Sequence, residues 1–133
     1  MIENVGGVIE RLFDRLDAGD WIGYGALLSP EVERIGPWGE RLVGRNRIVD
    51  MMAMLTPSGS DNDRSEPTWD VHRIAYAPDG RSGFARVTAY PGRGPLSQFE
   101  ETVAFVMDDE GLVSLIEVFW QTPHDAPPGL DRS

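Results

Sequence analysis

"FEETVAFVMDDEGLVSLIEVFW", residues 99–120, contains two runs of alternating side chains on either side of an acidic turn. Phe99, Glu101, Val103, Phe105 and Met107 share one face of an extended chain, because successive side chains in a strand point to opposite sides. The period-2 pattern, interrupted by Asp108-Asp109-Glu110-Gly111, predicts strands over Ser97–Met107 and Leu112–Gln121 joined as a hairpin. The same period runs through Thr68–Ala77 and Gly83–Tyr90, separated by Pro78-Asp79-Gly80 and by a loop from Pro91 to Pro95. Connections this short favour sequential antiparallel pairing, so the C-terminal half reads as a four-strand meander.

The N-terminal half has a different period. Val5, Val8, Ile9, Leu12, Phe13 and Leu16 form one stripe of an amphipathic helix, with Asn4 as N-cap and Gly19 as stop. Asp20 caps a second short helix anchored by Trp21, Leu27 and Leu28, and Ser29-Pro30 is expected to end it. Val32–Ile35 reads as a short strand. Ile48, Val49, Met51, Met52 and Leu55 make a third stripe beginning near Arg45. Thr56–Pro67 is rich in Ser, Gly, Asp, Asn and Pro and reads as a loop. Helices followed by strands imply an α+β domain, with three N-terminal helices packed on a curved, mainly antiparallel sheet that can enclose a pocket. One domain over residues 1–121 and a flexible tail over 122–133, with three prolines, are expected.

The chain has 133 residues, a formal net charge of −10 and no cysteine. All twelve of its basic residues are arginine, and they are scattered. This argues against nucleic-acid binding, which needs clustered cations for phosphates. Without cysteine there is no disulfide framework, thiol nucleophile or cysteine metal site. No apolar run reaches the ~20 residues of a membrane span, and the N-terminus lacks a basic-then-apolar leader, so a cytoplasmic setting is expected. No His and carboxylate cluster has ligand spacing, and no glycine-rich phosphate loop lies between strand and helix, so neither metal nor cofactor is expected.

Three stretches carry a resemblance: "LDAGDW" (Leu16–Trp21), "GPWGERLVGRNRI" (Gly36–Ile48) and residues 99–120. In order and local signature they resemble a SnoaL-like domain of the nuclear transport factor 2-like superfamily, over roughly residues 5–121. That group includes ketosteroid isomerases, limonene-epoxide hydrolases, scytalone dehydratases and polyketide cyclases. The resemblance implies a cone of sheet and helices, the cystatin-like α+β roll, around an apolar pocket, and often a homodimer. It also implies a ligand-lining set of Leu12, Leu16, Trp38, Val103, Phe105, Ile116, Val118 and Trp120, to which strand phase adds Phe84. It does not bring isomerase chemistry with it. The isomerases' general-base Asp falls on Gly36, their oxyanion-hole Tyr on Leu12 and their protonated Asp on Val103, none of which can do that work.

The remaining polar candidates come from strand phase. Glu101 is in phase with Val103 and Phe105 and should face the pocket. Arg86 is in phase with Phe84, Thr88 and Tyr90, so an Arg86–Glu101 pair across neighbouring strands is expected, with the carboxyl's pKa lowered by the guanidinium. Such a pair would orient a substrate or a water. His72, with Asp70 in a D-x-H pair, is a candidate general base. Its phase is open, because Trp69 and Val71 compete with Ile74 and Tyr76 for the inner face. Glu117 should face outward with Val113, Leu115 and Phe119, an apolar outer set that predicts a homodimer through the convex sheet face. Two functions fit: a cofactor-free acid–base enzyme of cyclase, isomerase or hydrolase type on a small polyketide-, steroid- or terpenoid-like molecule, or a non-catalytic ligand-binding or dimerisation module.

Overall fold

The computed structural model describes residues 3–55, 69–89 and 99–120. The expected 56–67 loop, the turn within residues 91–95 and the 122–133 tail lie outside the described residues. Three helices, α1 (Val5–Ala18), α2 (Trp21–Ala26) and α3 (Arg45–Leu55), pack on one six-stranded sheet. The strands are β1 (Leu28–Ile35), β2 (Arg41–Val43), β3 (Trp69–Tyr76), β4 (Ser82–Ala89), β5 (Phe99–Met107) and β6 (Val113–Trp120), in the order β2-β1-β6-β5-β4-β3. The expected α+β class and the meander β3–β4–β5–β6 are present.

The helix ends follow from the expected caps. The Asn4 side chain accepts a hydrogen bond from the Gly6 N–H at 2.7 Å, and Asp20 accepts from Gly23 at 2.9 Å. Each satisfies one of the donors a helix start leaves open. Gly19 closes α1 at φ 69°, a left-handed conformation open to glycine at little cost. All six expected stripe residues of α1 are buried. They lie against β3, β4 and β5.

The N-terminal strands depart from expectation. Ser29-Pro30 does not end α2 but lies inside β1, which runs parallel to β6 and antiparallel to β2. Proline has no N–H to give to a ladder. The β1–β6 register shifts between Leu28 and Glu33, the interval that contains Pro30. The Leu28 carbonyl is taken up by Arg45, whose Nε and Nη2 donate to it at 3.0 and 2.6 Å. Strand β2, only three residues long, precedes α3 without a sequence signature of its own.

Two bulges decide which side chains face inward. In β3 the register with β4 shifts between Val71 and Arg73, so His72 is the extra residue. The bulge resolves the competition within this strand. Trp69 and Val71 pair with Ala89 and Val87, Ile74 and Tyr76 pair with Ala85 and Gly83, and all four share the inner phase. A second shift, where Val106 pairs with Leu115 but Met107 with Val113, makes Ser114 the extra residue of β6. Val113 is therefore fully buried, a correction to the expected outward set, whereas Leu115 and Phe119 keep the outward phase.

The β3–β4 pairing is tight where Gly83 sits, near the start of β4. A Cβ there would lie 2.6 Å from the Ala75 carbonyl oxygen and 3.0 Å from the Tyr76 Cβ. The nearest atom is backbone and cannot swing away. Gly83→Ala is expected to lower stability by roughly 1–3 kcal/mol, read as a lower urea midpoint with an unchanged slope. A midpoint equal to that of the parent chain would contradict the pairing described.

Candidate functional site

Between the helices and the inner sheet face lies a cavity of about 390 Å³, including its open mouth. Leu12, Phe13 and Leu16 of α1, Tyr24 of α2 and Met52 of α3 close it from above. Val103, Phe105, Ile116 and Val118 form an apolar floor, and Trp69 stands at one side. Phe13 meets Trp69 and Phe105 with ring centroids at 6.1 and 6.2 Å. Six of the expected lining residues, Leu12, Leu16, Val103, Phe105, Ile116 and Val118, are thus brought together.

The two expected tryptophans adjoin this lining. Trp120 pairs with Glu101 across β5 and β6, and its indole N–H donates to Glu101 Oε2 at 3.2 Å. Trp38 packs edge-on against Trp120 with centroids 4.6 Å apart. Trp38 belongs to the Gly36–Gly39 turn, where the Gly36 N–H donates to the Glu40 carbonyl at 2.8 Å and Gly39 to the Gly36 carbonyl at 3.0 Å. Glu40 folds back over this turn. Its Oε1 accepts from the Trp38 N–H at 3.4 Å and lies 1.4 Å from the point a Gly36 Cβ would occupy. The space a side chain at position 36 would fill is held by the carboxylate of residue 40, whose Oε2 is buried without a hydrogen-bond partner.

Glu101 is the acid of the cavity. It is 6% exposed and faces inward with Val103 and Phe105, as strand phase predicts. Its environment is not the expected one. Arg86 pairs with Thr102, whereas Glu101 pairs with Val87, so Arg86 and Glu101 lie on opposite faces. Phe84 shares the outer phase with Arg86 and is 37% exposed. The inner positions of β4 are instead Ala85 and Val87, both fully buried in the core that α1 completes. Small side chains fit beneath a closely packed helix, and the larger Phe84 and Arg86 take the open side. Taking the large aromatic as the inward residue inverted the phase of β4.

The cation that acts on Glu101 is Arg34, from the inner phase of β1, where it pairs with Ile116. Arg34 and Tyr24, like Phe13, Met52 and Trp69, were not on the expected lining list. Arg34 had one signal in the sequence: its period-2 spacing from Val32. Burial pushes the Glu101 carboxyl up to about 7, against the smaller lowering effects of the Arg34 charge and the Trp120 hydrogen bond. The expected lowering by Arg86 is therefore reversed in both direction and partner. Burial likewise raises the Tyr24 phenol to about 12, opposed by Arg34, so the phenol stays protonated at neutral pH.

His72 lies apart from the cavity. It is exposed, and its ring Nε2 is 2.5 Å from the Thr88 hydroxyl. That hydroxyl donates to Glu100 Oε1 at 2.7 Å, so His72 Nε2 serves as donor to Thr88. This chain crosses the outer sheet face. Among the described residues, no group of three or more His, Asp or Glu side chains is arranged to hold a metal ion.

A family model described as a SnoaL-like domain matches residues 9–115. Among solved structures, the chain is similar to a candidate ketosteroid isomerase from Kribbella flavida at 24% identity, with a TM-score of 0.68 over 93% of this chain and 82% of that one. It is similar to an LEH-like epoxide hydrolase from M. tuberculosis at 20% identity and TM-score 0.68, covering 87% and 81%. A candidate polyketide cyclase from Pseudomonas putida aligns at 16% identity and TM-score 0.65, covering 90% and 92%. At these identities the likeness establishes the fold. No curated protein sequence matches the chain.

The raised value of Glu101 has a consequence for stability. Folding favours its protonated form, so its contribution is complete below its ordinary value of 4.5 and is lost as pH rises to about 7. Glu101→Gln is expected to be more stable than the parent chain above pH 7, by up to about 3 kcal/mol, with the difference vanishing near pH 4. Urea unfolding of both chains across this range measures it. A difference that does not change with pH would show that Glu101 titrates as an ordinary exposed carboxylate.

Proposed function

The chain belongs to the SnoaL-like domain family, and we propose that it is a cofactor-independent acid–base enzyme acting on a small hydrophobic molecule. The observation that carries this reading is Glu101, a buried carboxyl raised to about 7 inside an apolar cavity. A group that titrates near the working pH can both take and return a proton. Deep in an apolar site, it does so where charge is poorly screened. Trp120 holds one carboxyl oxygen through its N–H and leaves the other to approach a ligand. Proton abstraction next to a carbonyl, or protonation of a leaving oxygen, is the chemistry this arrangement supports. It is common to the isomerase, cyclase and hydrolase types named for the structural neighbours.

The cavity favours an apolar substrate, because most of the side chains that line it are aliphatic or aromatic. The same apolar lining also supports the second reading, a ligand-binding module without turnover. The two separate on Glu101: binding alone tolerates its replacement, and catalysis does not.

The test is deuterium incorporation from solvent into a panel of small cyclic ketones and β-ketoesters. Exchange is expected to rise with pH to a plateau above about 7 and to fall by ~10²–10⁴-fold in Glu101→Gln. Equal exchange in both chains would remove Glu101 from the chemistry.

We also propose a homodimer through the outer sheet face. Phe84, Val106 and Phe119 are 37%, 37% and 49% exposed there, and no described helix covers them. Ala104 pairs with Phe84 on one side and Glu117 on the other, so the apolar set is contiguous around one acid. Phe119→Arg is expected to shift sedimentation from dimer to monomer at micromolar concentration. A parent chain that sediments as a monomer would overturn this.

A further inference from the structure

We infer that the cavity binds its ligand through a carboxylate group held by Arg34, so that the ligand is a small hydrophobic acid. This deepens the preceding reading and rests on the same site. Among the described residues, Arg34 is the one arginine in the cavity lining. The exposed arginines Arg11, Arg15, Arg41 and Arg81 each pair with a carboxylate, namely Glu3, Asp20, Glu33 and Asp109. Arg45 spends its donors on the Leu28 carbonyl. The Arg34 side chain makes no hydrogen bond or ion pair with any described residue, yet its charge acts on both Glu101 and Tyr24. It therefore shares the cavity with two oxygen-bearing side chains and hydrogen-bonds to neither.

A second observation points to the same chemistry. The Trp69 indole N–H, in the cavity wall, is buried without an acceptor. The Arg34 guanidinium and the Trp69 indole N–H are thus uncommitted donors, which an acceptor oxygen would satisfy. A guanidinium offers a planar fork that a carboxylate matches with two parallel hydrogen bonds, which a single carbonyl cannot do. The apolar floor takes the rest of the molecule.

Charge balance sets how this binding responds to pH. Glu101 accepts from the Trp120 indole N–H of β6, lies within reach of the Arg34 charge from β1, and shares the cavity lining with Tyr24 of α2 and Trp69 of β3. Helices α1 and α3 bring Leu12, Phe13, Leu16 and Met52, and β4 brings Val87. Asp17 of α1 is engaged with the Trp69 backbone N–H at 3.1 Å. With Glu101 protonated, Arg34 and a carboxylate ligand balance. With Glu101 ionised, two anions share one cation, and affinity falls.

The experiment is an NMR titration of the full chain with phenylacetate, cinnamate and cyclohexanecarboxylate, each beside its primary amide. At pH 6 the acids are expected to shift cavity resonances and to bind at least about tenfold more tightly than the amides. Arg34→Gln should abolish that preference while its thermal midpoint stays near that of the parent chain, and Arg34→Lys should restore part of it. Raising the pH to 8 should weaken the acids in the parent chain but not in Glu101→Gln. Equal binding of acid and amide, unchanged acid binding in a folded Arg34→Gln, or no response to any of the acids would overturn the proposal. An acid preference that depends on Arg34 but not on pH would uphold it, and would place the failure with Glu101 and the acid–base reading.

Discussion

Helix α1 lies across the β3–β4–β5 half of the sheet, and the positions of the other parts follow from that contact. Its stripe from Val5 to Leu16 is buried against β3, β4 and β5. Burying a Leu, Ile or Phe side chain contributes roughly 1.5–3 kcal/mol, so this one helix face is among the largest apolar terms in the domain. The contact limits what β4 can place beneath it, namely Gly83, Ala85 and Val87. At its C-terminal end the helix moves from filling the core to roofing the cavity, through Leu12, Phe13 and Leu16. Core and site are continuous, and the floor of the cavity is as rigid as the sheet.

Inside that frame the chain buries one carboxyl and keeps its nearest cation short of an ion pair. A direct Arg–Glu pair would hold the carboxylate ionised and inert. Here desolvation outweighs attraction, so Glu101 stays close to the point where it changes charge. The Trp38–Trp120 edge contact and the Trp120 hydrogen bond fix where its carboxyl group points. The polar parts of the site come from β1, α2, β5 and β6, elements far apart in sequence that only the closed fold assembles.

The fold was legible in the sequence because it rests on long periodic segments. The helix stripe of α1, its caps at Asn4 and Gly19, and the hairpin around Asp108–Gly111 each carry several consistent signals. What escaped detection was short or out of phase. Arg41-Leu42-Val43 is too brief to show a period, and Pro30 looked like a stop rather than an interruption within β1. In the site, Glu101 could be placed because Val103 and Phe105 anchor its phase on both chemical and periodic grounds. Arg86 was misplaced because β4 puts its bulky residues outside, a choice made by the helix above and invisible in the strand itself. Arg34 lay in a segment too short to phase with confidence. The vacancy at Gly36 was readable, but its filling by the Glu40 carboxylate depends on how a five-residue turn folds back.

The extra residue at His72 changes how strand β3 counts. Each half of the strand keeps strict alternation, and the bulge joins the halves with a half-period step. Trp69 and Val71 therefore belong to one frame, and Ile74 and Tyr76 to the other. The first frame supplies the wall of the cavity through Trp69. The second reaches the start of α1, where Tyr76 meets Gly6. The strand is in effect two reading frames spliced at one residue. The length of the splice, more than the identity of its side chain, keeps the cavity end and the helix-bearing end of the sheet facing the same way.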